Sequence, residues 1–143
     1  MAVIQFNSNG TVLEANTRFS EIVGYSPNEL QGKQHSSLCN PDYTQSPEYS
    51  QFWNKLRQGI AFSGTFERVG KNNKTVWLEA TYCPVMNMSG QVVKVIKIAN
   101  DITKQRNESL HFKNVLEAIN RVMAVIEFDM SGNVLNANAN FLN

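Results

Sequence analysis

Residues 2–19, AVIQFNSNGTVLEANTRF, recur in similar form at residues 124–141, AVIEFDMSGNVLNANANF. Ten of the eighteen positions are identical, at a constant offset of 122 residues. Self-similarity at a fixed spacing indicates that one structural unit occurs twice. We therefore expect a complete unit over residues 1–103, a linker helix over 104–123, and the N-terminal hairpin of a second, truncated unit over 124–143.

The composition is that of an ordinary globular protein. Hydrophobic residues make up 42% and charged residues 17% of the chain, and the formal net charge is +1. The basic residues are scattered, so the chain lacks the electrostatic footprint of a nucleic-acid-binding protein. No apolar run approaches the ~20 residues of a membrane span, and no signal peptide follows Met1. We expect a cytoplasmic location and no membrane insertion of this segment.

Catalysis and metal binding lack sequence signals. Cys39 and Cys83 are too few for a disulfide framework or a zinc site, and free thiols in a reducing cytoplasm are expected. No serine or cysteine lies in a nucleophile motif, and no glycine-rich phosphate loop occurs. The sequence indicates a protein that is not an enzyme.

The first half of the unit is predicted to be a hairpin followed by short helices. Residues 3–6 and 11–15 form strands joined by a tight turn. Three helices follow, marked by a stop at Gly24, a capping box from Ser26 to Glu29, and a start at Ser46-Pro47. The last of them places apolar residues on one face at Tyr49, Phe52, Trp53, Leu56 and Ile60. Residues 33–45 are expected to be irregular.

The second half is predicted to be three strands and an exit helix. Residues 62–69, 75–85 and 92–100 have strand composition, and their short connections make neighbours antiparallel. The hairpin cannot bury its apolar side chains alone, so we expect a five-stranded antiparallel sheet with helices on one face, an α+β fold. The exit helix, residues 103–123, begins a heptad pattern at Phe112, Val115, Ile119, Val122 and Ile126.

These elements and motifs resemble a PAS domain over residues 2–103. The motifs that carry the resemblance occur in order: Asn16…Phe19, Gly24-Tyr25-Ser26…Glu29-Leu30-Gly32-Lys33, Phe52-Trp53…Leu56…Gly59, Ser63-Gly64…Phe66, Trp77-Leu78-Glu79-Ala80…Tyr82…Pro84-Val85 and Asp101-Ile102-Thr103. The resemblance implies the PAS fold, in which a ligand pocket lies between the helices and the inner face of the sheet.

A narrower resemblance is to the sensory regions of aerotaxis-type and biofilm-dispersal-type chemotaxis receptors. It rests on His35 after Gly32-Lys33, on Pro41-Asp42, and on Phe52-Trp53 ahead of Ser63-Gly64. It implies tandem PAS units that sense redox state through a flavin, chiefly FAD, with haem as the alternative cofactor. The implied partners are a second copy of the chain, a downstream receptor signalling domain and a histidine kinase complex. Aerotaxis receptors carry basic residues just before the Pro-Asp pair, whereas Cys39 and Asn40 stand there in this chain.

The residues that we expect to bind a cofactor are Asn16, His35, Asp42, Trp53, Phe66, Leu78, Ala80, Lys97 and Ala99. Trp53 either walls a flavin ring or belongs to the core face of its helix. Asp42 either anchors a ribose or ring N–H or bonds its own backbone in a turn. His35 either ligates haem iron or is a surface or hydrogen-bonding loop residue. Lys97 either meets a cofactor phosphate or carbonyl from the pocket face or is a solvated lysine.

Two functions are compatible with these observations. In the first, ligand binding or redox change strains the sheet, and Asp101 and Thr103, which end the last strand and cap the exit helix, relay the change. In the second, the domain is a cofactor-free dimerisation module that pairs through the linker helix or the outer sheet face, where Trp77, Ile96 and Ile98 form an apolar patch.

Overall fold

The computed structural model describes residues 1–122, 126–128 and 134–137. The chain divides into two units, Met1–Thr103 and Lys104–Asn143. The predicted end of the linker helix at Met123 and most of the predicted hairpin over 124–143 lie outside the described residues.

The first unit is built on a five-stranded antiparallel sheet with the strand order β2-β1-β5-β4-β3. Its strands are β1 (Ala2–Asn7), β2 (Val12–Ala15), β3 (Phe62–Val69), β4 (Thr75–Met86) and β5 (Val92–Asp101). The hairpin formed by β1 and β2 joins the later meander through β1 and β5, with Ile4 opposite Lys97. The predicted α+β fold is therefore confirmed, and the physical reason is the one expected: a hairpin alone cannot bury its apolar face.

Short helices cover one face of this sheet. They are α1 (Thr17–Val23), α2 (Pro27–Leu30), α3 (Pro41–Thr44) and α4 (Pro47–Arg57), with a 3-10 turn at His35–Leu38. Ser26 and Glu29 form the predicted capping box of α2. The segment expected to be irregular contains the 3-10 turn and α3, because Asn40 caps α3 by accepting from the backbone N–H of Asp42 and Pro41 supplies its first residue.

The core lies between these helices and the inner face of the sheet. Strand alternation places Leu78, Ala80 and Tyr82 of β4 on the inner face, and all three are buried. Phe52, Trp53 and Leu56 supply the buried face of α4. Ile60 does not extend that face as predicted: α4 ends at Arg57, and Ile60 is 45% exposed.

The second unit repeats the pairing of the first hairpin. It contains α5 (Thr103–Val122) from Lys104 onward and the antiparallel strands β6 (Ile126–Phe128) and β7 (Val134–Ala137). Ile126 pairs with Ala137 as Ile4 pairs with Ala15, and Phe128 pairs with Val134 as Phe6 pairs with Val12. The repeat in sequence is thus also a repeat in strand register. Among the described residues, no helix is both long and apolar enough to cross a membrane.

Candidate functional site: a buried aromatic and basic cluster beside a cleft

His35 lies at the centre of a cluster of aromatic side chains. The 3-10 turn is held against the first hairpin because the backbone N–H of His35 donates to the Gly10 carbonyl at 2.7 Å. Only 1% of His35 is exposed. Ring centroids within 6.2 Å of the imidazole belong to Phe6, Tyr49, Phe52, Trp53 and Tyr82. His35 is therefore not a surface residue, and it forms the hydrogen bonds that were expected if it does not ligate haem.

A chain of hydrogen bonds runs through His35. Arg68 has only donors, so its Nη2 donates to the Tyr82 hydroxyl at 3.0 Å. That hydroxyl is hydrogen-bonded to His35 Nε2, 3.0 Å away. His35 Nδ1 is hydrogen-bonded to the Tyr49 hydroxyl at 2.8 Å, and the tautomer of the ring decides the donor in each of these two bonds. Burial, reinforced by Arg68 and Lys97, lowers the pKa of His35 well below its usual value, in agreement with a neutral ring.

Two basic side chains point to the inner face of the sheet. Arg68 on β3 is 3% exposed and Lys97 on β5 is 2% exposed. The Lys97 ammonium lies 4.8 Å from the ring centroid of Tyr82 and 5.6 Å from that of Phe19. Burial, followed by the charge of Arg68, lowers the pKa of Lys97 well below its usual value. Lys97 is therefore a buried residue on the helix-facing side of the sheet and not the solvated lysine that was one of its two predicted roles.

An open cleft of about 440 Å³ adjoins the cluster between α3 and β3. Its lining includes Asn40, Asp42, Tyr43, Thr65, Phe66, Glu67 and Arg68. This volume is within the range of small-molecule sites. Arg68 Nε is buried beside the cleft and has no hydrogen-bond partner. Trp53 Nε1 is likewise buried and, although it lies near the Tyr49 hydroxyl, forms no hydrogen bond of normal geometry.

Seven of the nine predicted cofactor residues fall into two groups. Leu78, Ala80, Lys97 and Ala99 are buried on the inner face of the sheet, and Trp53 faces them from α4. Phe66 and Asp42 line the cleft, and Asp42 is exposed on α3. Asn16 is used elsewhere, since its side-chain oxygen accepts from the backbone N–H groups of Phe19 and Val3.

Three prominent members of the cluster were not among the predicted residues: Arg68, Tyr82 and Tyr49. Strand alternation was the available signal for Arg68, because it shares a face of β3 with Phe62 and Phe66. Arg68 therefore follows two aromatic residues on the inner face of its strand, where a charged side chain is seldom buried without a partner.

The junction between β5 and α5 forms a compact set of hydrogen bonds. Thr103 Oγ1 accepts from the backbone N–H of Trp77 at 2.8 Å and donates to Asp101 Oδ1 at 2.6 Å. Asp101 Oδ1 also accepts from the backbone N–H of Thr103, and the N–H of Ile102 donates to the Trp77 carbonyl at 2.9 Å. The start of α5 is thereby attached to β4, the strand that carries Leu78, Ala80 and Tyr82 on its other face.

The part of the chain that the structure describes contains no cluster of side chains suited to bind a metal ion. No three His, Cys, Asp or Glu side chains come together there. Cys39 Sγ lies 3.6 Å from His35 Nδ1, and Cys83 is a second free thiol.

Comparison with known proteins places this geometry in a family. A family model described as the PAS fold matches residues 12–99. Biofilm dispersion protein BdlA of Pseudomonas aeruginosa is 43% identical over 142 residues, which cover 99% of this chain and 34% of that protein. The aerotaxis receptor of Escherichia coli is 29% identical over 75 residues, which cover 52% of this chain and 15% of the receptor.

The solved structures agree with the fold. The PAS domain of a Colwellia psychrerythraea protein superposes with a TM-score of 0.63 at 23% identity, covering 72% of this chain and 86% of that one. This chain spans about a third of BdlA and a smaller share of the aerotaxis receptor. Both the predicted resemblance and the predicted fold are confirmed, and the chain belongs to the PAS fold family.

Proposed function

We propose that residues 1–103 form a sensory PAS unit that binds a planar small molecule, a flavin such as FAD, at the cleft and relays its state to α5. The observation that supports this most directly is Arg68, a buried side chain that lines the open cleft and whose Nε has no hydrogen-bond partner. Unsatisfied buried donors are rare in folded proteins, and a ligand acceptor would satisfy this one.

The residues present fit the chemistry of a flavin. Its carbonyl and phosphate oxygens are acceptors for Arg68, and the rings of Phe66 and Tyr43 offer apolar walls. Asp42 also lines the cleft, and in this proposal its carboxylate accepts from a ribose hydroxyl or ring N–H. A bound flavin would supply reversible redox chemistry, and the chain's own residues would orient it and limit its contact with water.

Haem is the less suitable cofactor at this site. Both ring nitrogens of His35 already make hydrogen bonds, to Tyr49 and Tyr82. Iron ligation would break one of these buried bonds and leave its partner unsatisfied.

The relay that we propose uses β4. This strand presents Tyr82 to the cluster and Trp77 to the start of α5, so a shift of the strand acts on both. Leu78 pairs with Asp101 across the β4–β5 ladder. In this proposal, a change at the cleft reaches Thr103 through the backbone of β4 and its ladder with β5.

We extend the proposal to the whole protein from the relatives. A biofilm dispersion protein and an aerotaxis receptor both contain a segment like this one. We propose that the parent protein is a chemotaxis-type receptor in the cytoplasm, that this region has no catalytic role, and that a receptor signalling domain acts on a histidine kinase complex. The pairing of β6 with β7 supports a second PAS unit that begins after α5.

An absorbance spectrum of freshly purified protein, with mass spectrometry of the extracted ligand, tests the sensory proposal. Bands of oxidised flavin are expected, with reversible bleaching on reduction. A haem Soret band would replace the flavin, and a colourless protein that fails to take up added flavin would contradict the proposal.

The second candidate is a cofactor-free pairing module. It is favoured by the outer face of the sheet, where Ile98 is 36% exposed and Trp77 and Ile96 are half-buried. The hydrodynamic mass of a variant with a charge on this face separates pairing from sensing.

A further inference from the structure

The buried cluster contains basic groups without an acidic partner. The salt bridges among residues 1–121 join Arg18 to Glu21 and Lys71 to Glu29, and neither involves Arg68 or Lys97. Buried charges are nearly always paired, because a lone charge loses its hydration without compensation.

The titratable neighbours of these basic groups do not supply a negative charge at neutral pH. Burial raises the pKa of Cys39 and of Tyr43, and it raises the pKa of Tyr82 to about 12. The thiol and both phenols are therefore protonated and neutral. Arginine cannot lose its proton in a protein, so Arg68 remains a cation.

The guanidinium of Arg68 lies where a ligand in the cleft can meet it. It lies between two rings, with its central carbon 5.0 Å from the ring centroid of Phe66 and 5.8 Å from that of Tyr43. Nη1 donates to the Glu67 carbonyl at 2.8 Å and Nη2 donates to the Tyr82 hydroxyl. Nε alone lacks a partner, and the residue lines the cleft.

We propose that the ligand of this cleft carries an acid group, a carboxylate or a phosphate, that pairs with Arg68. The inference rests on the proposed ligand-binding function and adds the charge of the ligand to it. Arginine binds such groups with strong, charge-assisted hydrogen bonds, and Tyr43 and Phe66 would hold the planar part of the molecule.

Two carboxylates at the rim limit the attraction. Asp42 and Glu67 also line the cleft, and both are exposed. Exposed charges are screened by water and salt, so they oppose an acid group less than the buried Arg68 favours it. Their presence predicts that Asp42→Asn strengthens the binding of an anionic probe.

Two pairs of probes that differ in charge test the proposal on the full 143-residue chain. FMN carries a phosphate that riboflavin lacks, and benzoate carries a charge that benzamide lacks. Equilibrium titration should give at least about tenfold tighter binding for the acid of each pair that binds. Added sodium chloride should weaken the binding of the acid and leave the affinity of the neutral probe unchanged.

The variants separate charge from folding. Arg68→Met should keep the near-ultraviolet circular dichroism of the wild type and reduce the acid-to-neutral affinity ratio to about one. Arg68→Lys, which keeps the charge but loses the guanidinium, should retain an intermediate ratio and serves if the methionine variant does not fold. Asp42→Asn is the matched rim variant and should raise the ratio.

Each outcome decides a different point. If benzoate binds more tightly than benzamide and neither flavin binds, the result would support an acid group on the ligand and would reject a flavin as the ligand. Equal affinities within each pair would overturn the acid group and leave the ligand site in place. Failure of all four probes to bind would overturn both the inference and the proposed function.

Discussion

Tyr82 joins the basic and the aromatic parts of the site. Its hydroxyl accepts from Arg68 and is bonded to His35, and its ring lies beneath the Lys97 ammonium. Each of these partners is at least 97% buried, so none can replace a lost bond with water. The hydroxyl therefore stabilises the folded state mainly by satisfying groups that would otherwise be unpaired.

Tyr82→Phe should lower the free energy of unfolding by about 1–3 kcal/mol, because it leaves Arg68 Nη2 and His35 Nε2 without their partner. Urea denaturation measures the change. Tyr25→Phe is the matched control, since it removes a hydroxyl from a half-buried tyrosine and keeps the ring that lies 4.6 Å from the Lys33 ammonium, so it should change stability little. Equal losses in the two variants would contradict the hydrogen-bond chain.

His35 makes stability depend on pH in a defined direction. Burial, Arg68 and Lys97 lower its pKa in the folded state, whereas the unfolded residue takes up a proton below a pH of about 6.5. The unfolded state then binds more protons, so the free energy of unfolding is full above that pH and falls as the pH drops below it.

The stability difference between wild type and His35→Gln isolates this effect, because the other titrating groups are common to both. It should shrink by up to about 1.4 kcal/mol per pH unit below a pH of about 6.5. Denaturant unfolding across the acid range measures it. A difference that stays constant with pH would show that His35 does not titrate between the two states as described.

At the scale of elements, the turn between β3 and β4 packs against the end of α1. A Cβ built on Gly70 would lie 2.6 Å from the Val23 carbonyl oxygen, which is closer than atoms approach without displacement. The backbone φ of Gly70 is −92°, so the need for glycine arises from close approach and not from conformation. This contact brings the end of α1 against the turn that follows β3.

Gly70→Ala should therefore destabilise the domain by about 1–3 kcal/mol through overpacking. Gly64→Ala on β3 is the matched control, because its Cβ would meet only the Phe66 side chain at 3.9 Å. Thermal unfolding of the two variants compares them. If both melt at the same temperature, the close approach of α1 to this turn is wrong.

The junction at Thr103 is the element on which the relay depends. Thr103→Val removes the acceptor of the Trp77 N–H and the donor to Asp101. We expect the free energy of unfolding to fall by about 1 kcal/mol and hydrogen exchange to become faster in the first turn of α5. Ser109→Ala, an exposed position in the same helix, should leave that exchange unchanged. Unaltered protection at residues 101–106 in Thr103→Val would remove the junction from the relay.

For the whole molecule, the sequence predicted the architecture well and the chemistry of the site only in part. Strand alternation placed Leu78 and Ala80 on one face, and helical spacing placed Trp53 opposite them, because each depends on local periodicity. Alternation puts Arg68 on the face of β3 that carries Phe62 and Phe66, but its burial also depends on Tyr43 of α3, which comes from a distant part of the chain. Residues 33–45 were expected to be irregular because the local start signal of α3, Asn40 followed by Pro41, was overlooked.

Pairing through the outer sheet face is a property of the assembled molecule. Ile98→Glu should dissociate a dimer formed by that face, because it places a charge in an apolar contact. Leu13→Glu on β2 is the control, as Leu13 is 41% exposed on an edge strand that is separated from β5 by β1. Hydrodynamic mass measures the result, and a mass unchanged in Ile98→Glu would contradict pairing by this surface.

We propose that a ligand in the cleft alters the start of α5 through β4. Hydrogen–deuterium exchange of the full chain with and without FMN tests it most directly, with flavin fluorescence as the measure of occupancy. We predict altered exchange at the backbone amides of Trp77, Ile102 and Thr103 as well as at the cleft. Bound FMN with exchange changes confined to residues 40–43 and 65–68 would contradict the account.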